Sequence, residues 1–299
     1  MAMYQLLIDE PAFDAPALVM APEGWIDAGL GGGAAVAALQ ESLGDTTVVA
    51  TFDSDALLDH RARRPLARIV DGVYDDVLWP EIELRAGKDP AGQDVLVLNG
   101  PEPDHSWRAY ADAVSELAQR LGVRILVGMG AFPAPVPHTR TPRLVATATT
   151  AELANRIGVV RRQLDVPAGI VVALQRRFAE LEIPAIALWA RVPHYAATMP
   201  YPEASCVLLD GLAKVAGVVV DKSNLEEAAA LARERLDELA ANNPQSQALV
   251  RQLEEQVDNE AEDGDGGAFD ASGDQPWSNL PSADELAAEV ERFLRDQGE

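Results

Sequence analysis

A regular alternation of short apolar runs with segments of helical apolar spacing constrains this fold more than any other feature. The apolar runs are rich in β-branched residues, which is typical of strands buried in a sheet. They are Tyr4–Ile8, Ala17–Met20, Thr47–Phe52, Val95–Leu98, Ile125–Val127, Val145–Thr149 and Ala185–Trp189. This alternation predicts an α/β fold: a three-layer α/β/α sandwich with a mainly parallel sheet and additional C-terminal helices.

Two helices are clearest between these runs. One is predicted over residues 106–121, with Ser106 as its N-cap and Gly122 as its stop signal. The other is predicted over Gly32–Leu43 and ends at a glycine. A less regular run, Val77–Leu84, contains Pro80 and is therefore predicted to be an edge strand or a hairpin.

Near residue 222 the sequence pattern changes from alternating strands and helices to helices alone. Ser223 and Glu226 have the spacing of a capping box, and two helical patterns follow. Further on, nine Asp or Glu residues and no Lys or Arg occur from Glu254 to Asp274, which is typical of a solvated linker. We therefore predict an α/β/α domain over residues 1–221, a helical hairpin over 222–257, an acidic linker over 258–281 and an amphipathic helix over 282–299.

The formal net charge of −24 excludes broad classes of partner. Phosphate backbones and anionic lipid surfaces would repel such a chain, so we expect neither a nucleic-acid nor a membrane partner. The only cysteine, Cys206, has no partner for a disulfide. The first residues lack the cationic start and long apolar stretch of a signal peptide, and a cytoplasmic location is expected.

Three of the four histidines follow the ends of predicted strands. His105 lies in LNGPEPDHSW, His138 in AFPAPVPHTR and His194 in PHYAATMPYPEAS. The carboxyl ends of parallel strands meet at one edge of a sheet, where ligands usually bind. The sequence therefore predicts that these three loops converge on one site.

The chemistry of this predicted site stays open between three interpretations: catalysis, ligand binding and a structural role. As a catalytic site, Glu102, His105, His138 and His194 are the candidates for general acid and base groups. As a binding site, it would also include Asp104, Arg140 and Tyr195. The alternative is structural: the carboxylates cap a helix and the histidines bind main-chain carbonyls. The same carboxylates and imidazoles could hold a divalent metal, but they lack the local spacing of HExxH-type sites, and neither a metal nor a cofactor is expected.

Two further features are candidates for binding. The run Gly29–Gly33 enters a predicted helix and follows Asp27, a candidate binding residue. Its amides could bind phosphate, although the lysine of a P-loop is missing, and close packing of the main chain is the alternative. The basic patch Arg61, Arg63, Arg64 and Arg68 could bind an anion or an acidic protein surface, or could simply be solvated.

Several segments together resemble the PAC2 family of proteasome assembly chaperone 2-like proteins, in its bacterial branch. They are GWIDAGLGGG (24–33), RRPLARI (63–69), LNGPEPDHSW (98–107), PHTRTP (137–142), PAGIVVALQ (167–175) and VPHYAATMPYPEAS (192–205). The resemblance implies a sandwich similar to nucleoside phosphorylases and hydrolases, built into oligomers. In eukaryotic and archaeal relatives it implies a role in assembling proteasome α subunits.

Two functions from different classes are therefore expected. The first is an interaction or assembly-chaperone protein, a homo-oligomer with proteasome subunits as possible partners, and this function is favoured over an enzyme. The alternative is a binding protein or hydrolase for nucleoside-like small molecules that uses the loops at the strand ends. Fold analogy alone does not decide between them. The C-terminal residues, FLRDQGE, differ from the hydrophobic-Tyr-any-residue tail by which some relatives dock on the proteasome.

Overall fold

A computed structural model describes residues 3–8, 12–24, 26–159, 163 and 165–262 of the chain. Its strands are β1 (Tyr4–Leu6), β2 (Ala17–Met20), β3 (Thr47–Phe52), β4 (Leu66–Val70), β5 (Val73–Leu78), β6 (Glu83–Lys88), β7 (Asp94–Asn99), β8 (Ile125–Ala134), β9 (Leu144–Ala148) and β10 (Ala185–Pro193). Its α-helices are α1 (Gly31–Leu43), α2 (Ser54–Leu57), α3 (Trp107–Arg120), α4 (Ala151–Asn155), α5 (Ile170–Glu180), α6 (Pro202–Ala216), α7 (Ser223–Ala241) and α8 (Pro244–Glu262).

Eight of the strands form one mixed sheet with a parallel centre. Their order is β1-β3-β6-β7-β2-β8-β10-β9. The four strands β7, β2, β8 and β10 pair in parallel, and the outer strands pair antiparallel. The remaining strands, β4 and β5, form a separate two-stranded hairpin.

Helices cover both faces of the sheet, which confirms the predicted α/β/α sandwich. Successive strand residues point to opposite faces. Val19 and Val97 accordingly pack in a cluster with α1 and α6, whereas Leu18 and Leu96 pack in a second cluster with α3 and α5. Because the central strands are buried on both faces, they show as continuous apolar runs in the sequence.

The run Val77–Leu84 is divided in the structure. Strand β5 ends at Leu78 and β6 begins at Glu83, and Pro80 lies in the non-strand segment between them. Proline has no amide hydrogen for a sheet ladder, which accounts for the interruption. The prediction of an edge strand or hairpin over Val77–Leu84 is therefore wrong: β6 lies inside the sheet between β3 and β7, and the hairpin lies earlier, over residues 66–78.

Two predicted helix caps are wrong. Ser106 occupies the N-cap position of α3 but is in the left-handed region (φ 58°), and its side chain makes no cap hydrogen bond. Ser223 is the first residue of α7 rather than its N-cap, and its hydroxyl donates to Asp221. An N-cap serine accepts a hydrogen bond from a helix amide through its hydroxyl oxygen. Here both hydroxyls instead donate to acceptors outside the helix, Ser106 to the Ala56 carbonyl (3.5 Å) and Ser223 to the Asp221 carboxylate (2.6 Å).

Helices α7 and α8 follow the α/β region, and we refer to them together as the helical hairpin. It contacts the body through the buried side chains Leu236 and Val257. Helix α8 continues to Glu262, and the remainder of the predicted acidic linker and the predicted helix over 282–299 lie outside the described residues. Among the described helices, none is long and apolar enough to span a bilayer.

Gly100, directly after β7, sets the direction in which the following loop leaves the sheet. Its φ of +117° belongs to the region that favours glycine, and an added Cβ would collide with the carbonyl oxygen of Glu81. We expect Gly100→Ala to lower the free energy of unfolding by about 3 kcal/mol, from backbone strain plus overpacking. The matched control is Gly92→Ala (φ +84°, with nothing near its Cβ), for which about 1 kcal/mol is expected. Urea denaturation measures both, and equal losses would contradict this assignment.

Candidate functional site

The carboxyl ends of the parallel strands carry the loops that hold the candidate residues. Asp27 follows β2, Glu102 and His105 follow β7, His138 follows β8 and His194 follows β10. Strand β3 runs in the same direction as β7, so the segment from α2 to the basic patch also leaves from this edge. We refer to it as the carboxyl edge.

The Asp27 carboxylate closes the start of α1. Its two oxygens accept hydrogen bonds from the amides of Gly32 (2.7 Å) and Gly33 (2.9 Å). Burial raises the pKa of this carboxyl group, and the two amide hydrogen bonds oppose that shift. The amides that could have bound phosphate are thus occupied by a carboxylate of the same chain.

Glu102 makes the same kind of contact over a much longer separation in sequence. Its Oε1 accepts a hydrogen bond from the amide of Ile170, at the start of α5 (2.6 Å). A Cβ on Gly24 or Gly169 would lie 3.0–3.2 Å from the Glu102 side chain, so the main chain approaches it closely on two sides. The carboxylate was expected to cap α3 in the structural interpretation; it caps α5 instead.

Asp104 and His105 anchor the chain to the segment after α2. Both main-chain amides donate to the carbonyl oxygen of Leu57, at 2.8 and 3.0 Å. The Asp104 carboxylate accepts from the amide of Asp59 (2.9 Å) and from the Arg63 guanidinium (3.3 Å). The exposed His105 imidazole lies near Asp59, where it helps to lower the pKa of that carboxyl group after the larger effect of the Arg61 amide.

His138 is the most enclosed of the candidate residues, with only 1% of its surface exposed. Its Nδ1 lies 2.7 Å from the Tyr195 hydroxyl, which also accepts the His138 main-chain amide at 2.8 Å. Its Nε2 lies 3.2 Å from a carboxylate oxygen of Asp237 on α7. The imidazole therefore joins the β10 loop to the helical hairpin.

These partners assign the tautomer of a neutral His138. The Asp237 carboxylate can only accept, so Nε2 carries the hydrogen and donates it. Nδ1 is then an acceptor, and the Tyr195 hydroxyl donates to it while receiving the His138 amide. Both ring nitrogens are satisfied by the protein itself.

The other polar groups beneath α7 are largely paired as well. The Arg233 guanidinium donates to the His138 carbonyl (3.3 Å) and lies 4.0 Å from Glu203. Burial raises the pKa of Glu203, and it raises the pKa of Tyr195 to about 12. His194 is exposed and contacts Tyr195 ring to edge, with centroids 5.3 Å apart.

Arg140 binds helix α8. Its Nε and Nη2 donate to the two oxygens of Asp258 at 2.9 and 2.8 Å, and Nη1 donates to Glu254 at 3.2 Å. The hydrogen bonds to the guanidinium lower the pKa of Asp258 and raise that of Arg140. Thr139 adds a hydrogen bond to Glu254 at 2.6 Å. The two acidic residues belong to the stretch that was predicted to begin a solvated linker.

The basic patch divides into two parts. Arg63 is held by Asp104 and by the Glu102 carbonyl (3.4 Å). Arg61, Arg64 and Arg68 are exposed, and Arg68 lies in β4. Among the hydrogen bonds of the described residues, Arg63 is the patch arginine that binds the candidate residues of the β7 loop.

The geometry places the candidate residues that follow β7, β8 and β10 in two groups, while Asp27 binds the start of α1. One contains His138, Arg140, His194 and Tyr195 with helices α7 and α8, and the other contains Glu102, Asp104 and His105 with the segment after α2. Convergence of all three histidines on one site stays a prediction. A cavity lined by Val136, Arg140 and Tyr201 has a volume of about 10 Å³, which is space for a single water molecule.

A larger cavity of about 480 Å³ lies at the opposite edge of the sheet, between α4 and the end of α5. Arg124, Thr149 and Arg156 contribute to its walls, and none of the candidate residues does. In the described parts of the chain, no cluster of three or more His, Cys, Asp or Glu side chains could hold a metal ion.

Sequence reasoning missed the residues that complete these contacts. Asp237 and Arg233 lie in an amphipathic helix, where charged residues are ordinarily solvated. In the sequence, nothing except their acidity distinguishes Asp258 and Glu254 as candidate site residues. The i, i+4 spacing of Glu254 and Asp258 places them on one helix face, which is the one available indication that they could share a cationic partner.

The chain is similar to a known protein family. The sequence profile of the PAC2 family matches residues 21–240. No curated protein matches the chain.

Solved structures with a similar fold include proteins from Mycobacterium tuberculosis and Corynebacterium glutamicum. A proteasome-assembly chaperone homologue from Mycobacterium tuberculosis is 32% identical, with a TM-score of 0.72 over 78% of this chain and 99% of that one. A second M. tuberculosis protein, of unknown function, is 33% identical, with a TM-score of 0.77 over 88% and 91%. A Corynebacterium glutamicum protein of unknown function is 28% identical, with a TM-score of 0.81 over 88% and 99%.

Arg140→Gln should loosen α8 without unfolding the sheet, because it removes the charge that holds Asp258 and Glu254. We expect amide hydrogen exchange in residues 250–258 to rise about two- to fivefold, the range for a partly exposed ion pair, with α3 unchanged. Arg120→Gln, at the exposed end of α3, is the control and should leave α8 as it is. Equal exchange in α8 for both variants would contradict the role of Arg140.

Proposed function

The chain belongs to the PAC2 family, and on this premise we propose that it is a cytoplasmic interaction protein with an assembly-chaperone role linked to the proteasome. We further propose that it acts as a homo-oligomer. Structural relatives that are proteasome-assembly chaperone homologues support the link to the proteasome. The observation that carries an interaction function is the β4–β5 hairpin.

Every residue of β4 and β5 is exposed. Eight large apolar side chains on and beside the hairpin have exposed fractions between 41% and 75%: Leu66, Ile69, Val70, Val73, Tyr74, Val77, Leu78 and Trp79. A soluble monomer rarely exposes so many large apolar groups in one place. The hairpin is therefore the surface best suited to contact another protein.

The exposed apolar area of the hairpin and its low intrinsic stability both favour a permanent contact with another protein. An isolated two-stranded hairpin is at best marginally stable in water. Eight large side chains exposed by about half offer roughly 800 Å², the contribution of one partner to a standard interface. One further copy of the chain thus supplies enough surface for a stable contact.

Charge favours a second copy as the protein that covers the hairpin. Residues 59–79 contain four Arg and four Asp, so this segment is formally neutral in a chain with a net charge of −24. Two strongly acidic bodies repel one another least where their surfaces are neutral. The hairpin meets that condition.

The carboxyl-edge contacts also support interaction over catalysis. A general base needs a proton to abstract within about 3 Å in the substrate complex. Both ring nitrogens of His138 are already bonded within the protein, and the Asp27 and Glu102 carboxylates bind helix amides. These groups stabilise the fold in the form described.

The proteasome link is tested in the native cell. Affinity purification of the full chain should recover proteasome α subunits, and deletion of the gene should lower the yield of assembled 20S particles. The unrelated control is the same tag on a protein outside the family. Recovery of this protein alone, together with an unchanged yield in the deletion strain, would contradict the proposal.

Self-association is tested by placing charge on the hairpin. We expect Val73→Lys/Tyr74→Lys to weaken self-association at least tenfold, about 1.4 kcal/mol, since each lysine would have to be buried in the contact. The control is Leu231→Lys/Leu239→Lys, which changes two exposed leucines of α7. Sedimentation equilibrium measures the association, and a monomeric parent chain or equal association of both variants would contradict the hairpin contact.

A further inference from the structure

The cavity of about 480 Å³ lies where three neighbouring strands begin or end, at the edge of the sheet opposite the carboxyl edge. Arg124 directly precedes β8, Ile183 lies just before β10, and Thr149 directly follows β9. Because β10 pairs with both β8 and β9, these three strand ends are neighbours, and the outer two lie two strand spacings apart, about 10 Å. Helix α4 and the end of α5 form the sides. The volume lies within the range of small-molecule binding sites.

The Arg124 guanidinium is held in place at this cavity, but its charge is not neutralised. Its Nη2 donates to the carbonyl of Ala216, the last residue of α6, at 2.5 Å and to Oε1 of Gln93 at 3.4 Å. Both acceptors are uncharged, and Arg124 forms no ion pair with a described residue. The three N–H groups on Nε and Nη1 likewise have no acceptor among the described residues. A fixed guanidinium with unused donors is suited to binding a carboxylate.

Glu182 brings an opposite charge to the same cavity. It follows the end of α5 and forms no ion pair with a described residue. Its φ of +58° lies in the left-handed region that favours glycine, so a carboxylate is kept where glycine would be less strained. The other two charged residues of the lining, Glu152 and Arg156, lie 3.8 Å apart and largely neutralise each other. The cavity therefore has one unpaired charge of each sign among the described residues.

The rest of the lining combines apolar side chains with two hydroxyl groups. The apolar side chains include Leu153 and Ile183. The Thr149 hydroxyl accepts the amide of Ala185 at 3.2 Å, and the Thr150 hydroxyl accepts the amide of Leu153 at 3.3 Å. Neither hydroxyl donates to a described residue, so the hydrogen of each is available to an acceptor on a ligand.

We propose that this cavity binds a zwitterion with an apolar body: an apolar α-amino acid or a dipeptide of apolar residues. The carboxylate of the ligand binds Arg124, its ammonium group binds Glu182, and its side chains pack against Leu153 and Ile183. A zwitterion is favoured over a simple anion because Glu182 repels an anion, and over a simple cation because Arg124 repels a cation. The site uses neither the β4–β5 hairpin nor the carboxyl edge, and it therefore goes beyond the proposed function.

Isothermal titration calorimetry of the full chain tests this site with L-leucine and L-leucyl-L-leucine. Each is compared with its C-terminal amide, which lacks the carboxylate, and with its N-acetyl derivative, which lacks the ammonium group. We expect a zwitterion to bind once per chain with a Kd below about 1 mM, and both of its derivatives to bind at least about tenfold more weakly. Tighter binding of leucine assigns the site to amino acids, and tighter binding of the dipeptide assigns it to peptides.

Variants of the lining connect the binding to this cavity. In Arg124→Gln the zwitterion and its amide should bind alike, and in Glu182→Gln the zwitterion and its N-acetyl derivative should bind alike. Ala179→Phe places a ring in the cavity from the exposed end of α5, so that it should weaken the zwitterion at least about tenfold even if Arg124→Gln fails to fold. Arg120→Gln, at the end of α3 and outside the lining, is the control and should bind as the parent chain does.

Three results would overturn the proposal. They are no binding of either zwitterion at about 10 mM, equal binding of a zwitterion and both of its derivatives, and unchanged binding in Ala179→Phe. The titration requires no proteasome partner and no self-association, so its failure is distinct from a failure of the proposed function.

Discussion

Polar groups buried where parallel strands end must find partners inside the protein, and this requirement organises the carboxyl edge. Helix starts expose unpaired amides there, and loops bring carboxylates and imidazoles to the same place. Asp27 pairs with the amides of α1, and Glu102 pairs with the amide that begins α5. Each carboxylate thus fixes a helix on one face of the sheet to a loop that follows a central strand.

The same requirement explains why the helical hairpin lies where it does. His138 is buried only because Asp237 of α7 and Tyr195 of the β10 loop satisfy its ring nitrogens. Arg140 and Thr139 attach α8 alongside. The chain's own helices therefore cover these loops. The large exposed apolar side chains lie instead on the β4–β5 hairpin, and the proposed interaction function rests on this difference.

Much of the fold was predictable from local pattern, whereas the pairing within the candidate site was not. Runs such as Ala17–Met20 are buried on both faces, so composition alone marks them as strands. The exposed strands β4 and β5 mix arginine and aspartate with valine and leucine, and the pattern of a buried strand therefore missed them. Glu102 and Ile170 are 68 positions apart, and His138 and Asp237 are 99 apart. Such contacts depend on tertiary packing, which no local spacing encodes.

The claim that His138 is a structural link rather than an available base is tested most directly by nitrogen-15 NMR of its imidazole. A neutral ring held between Tyr195 and Asp237 should show the Nε2–H tautomer alone, with a slowly exchanging ring hydrogen, and Asp237→Asn should leave that tautomer in place. A mixture of tautomers, or a ring hydrogen that exchanges as fast as that of the exposed His194, would contradict the account.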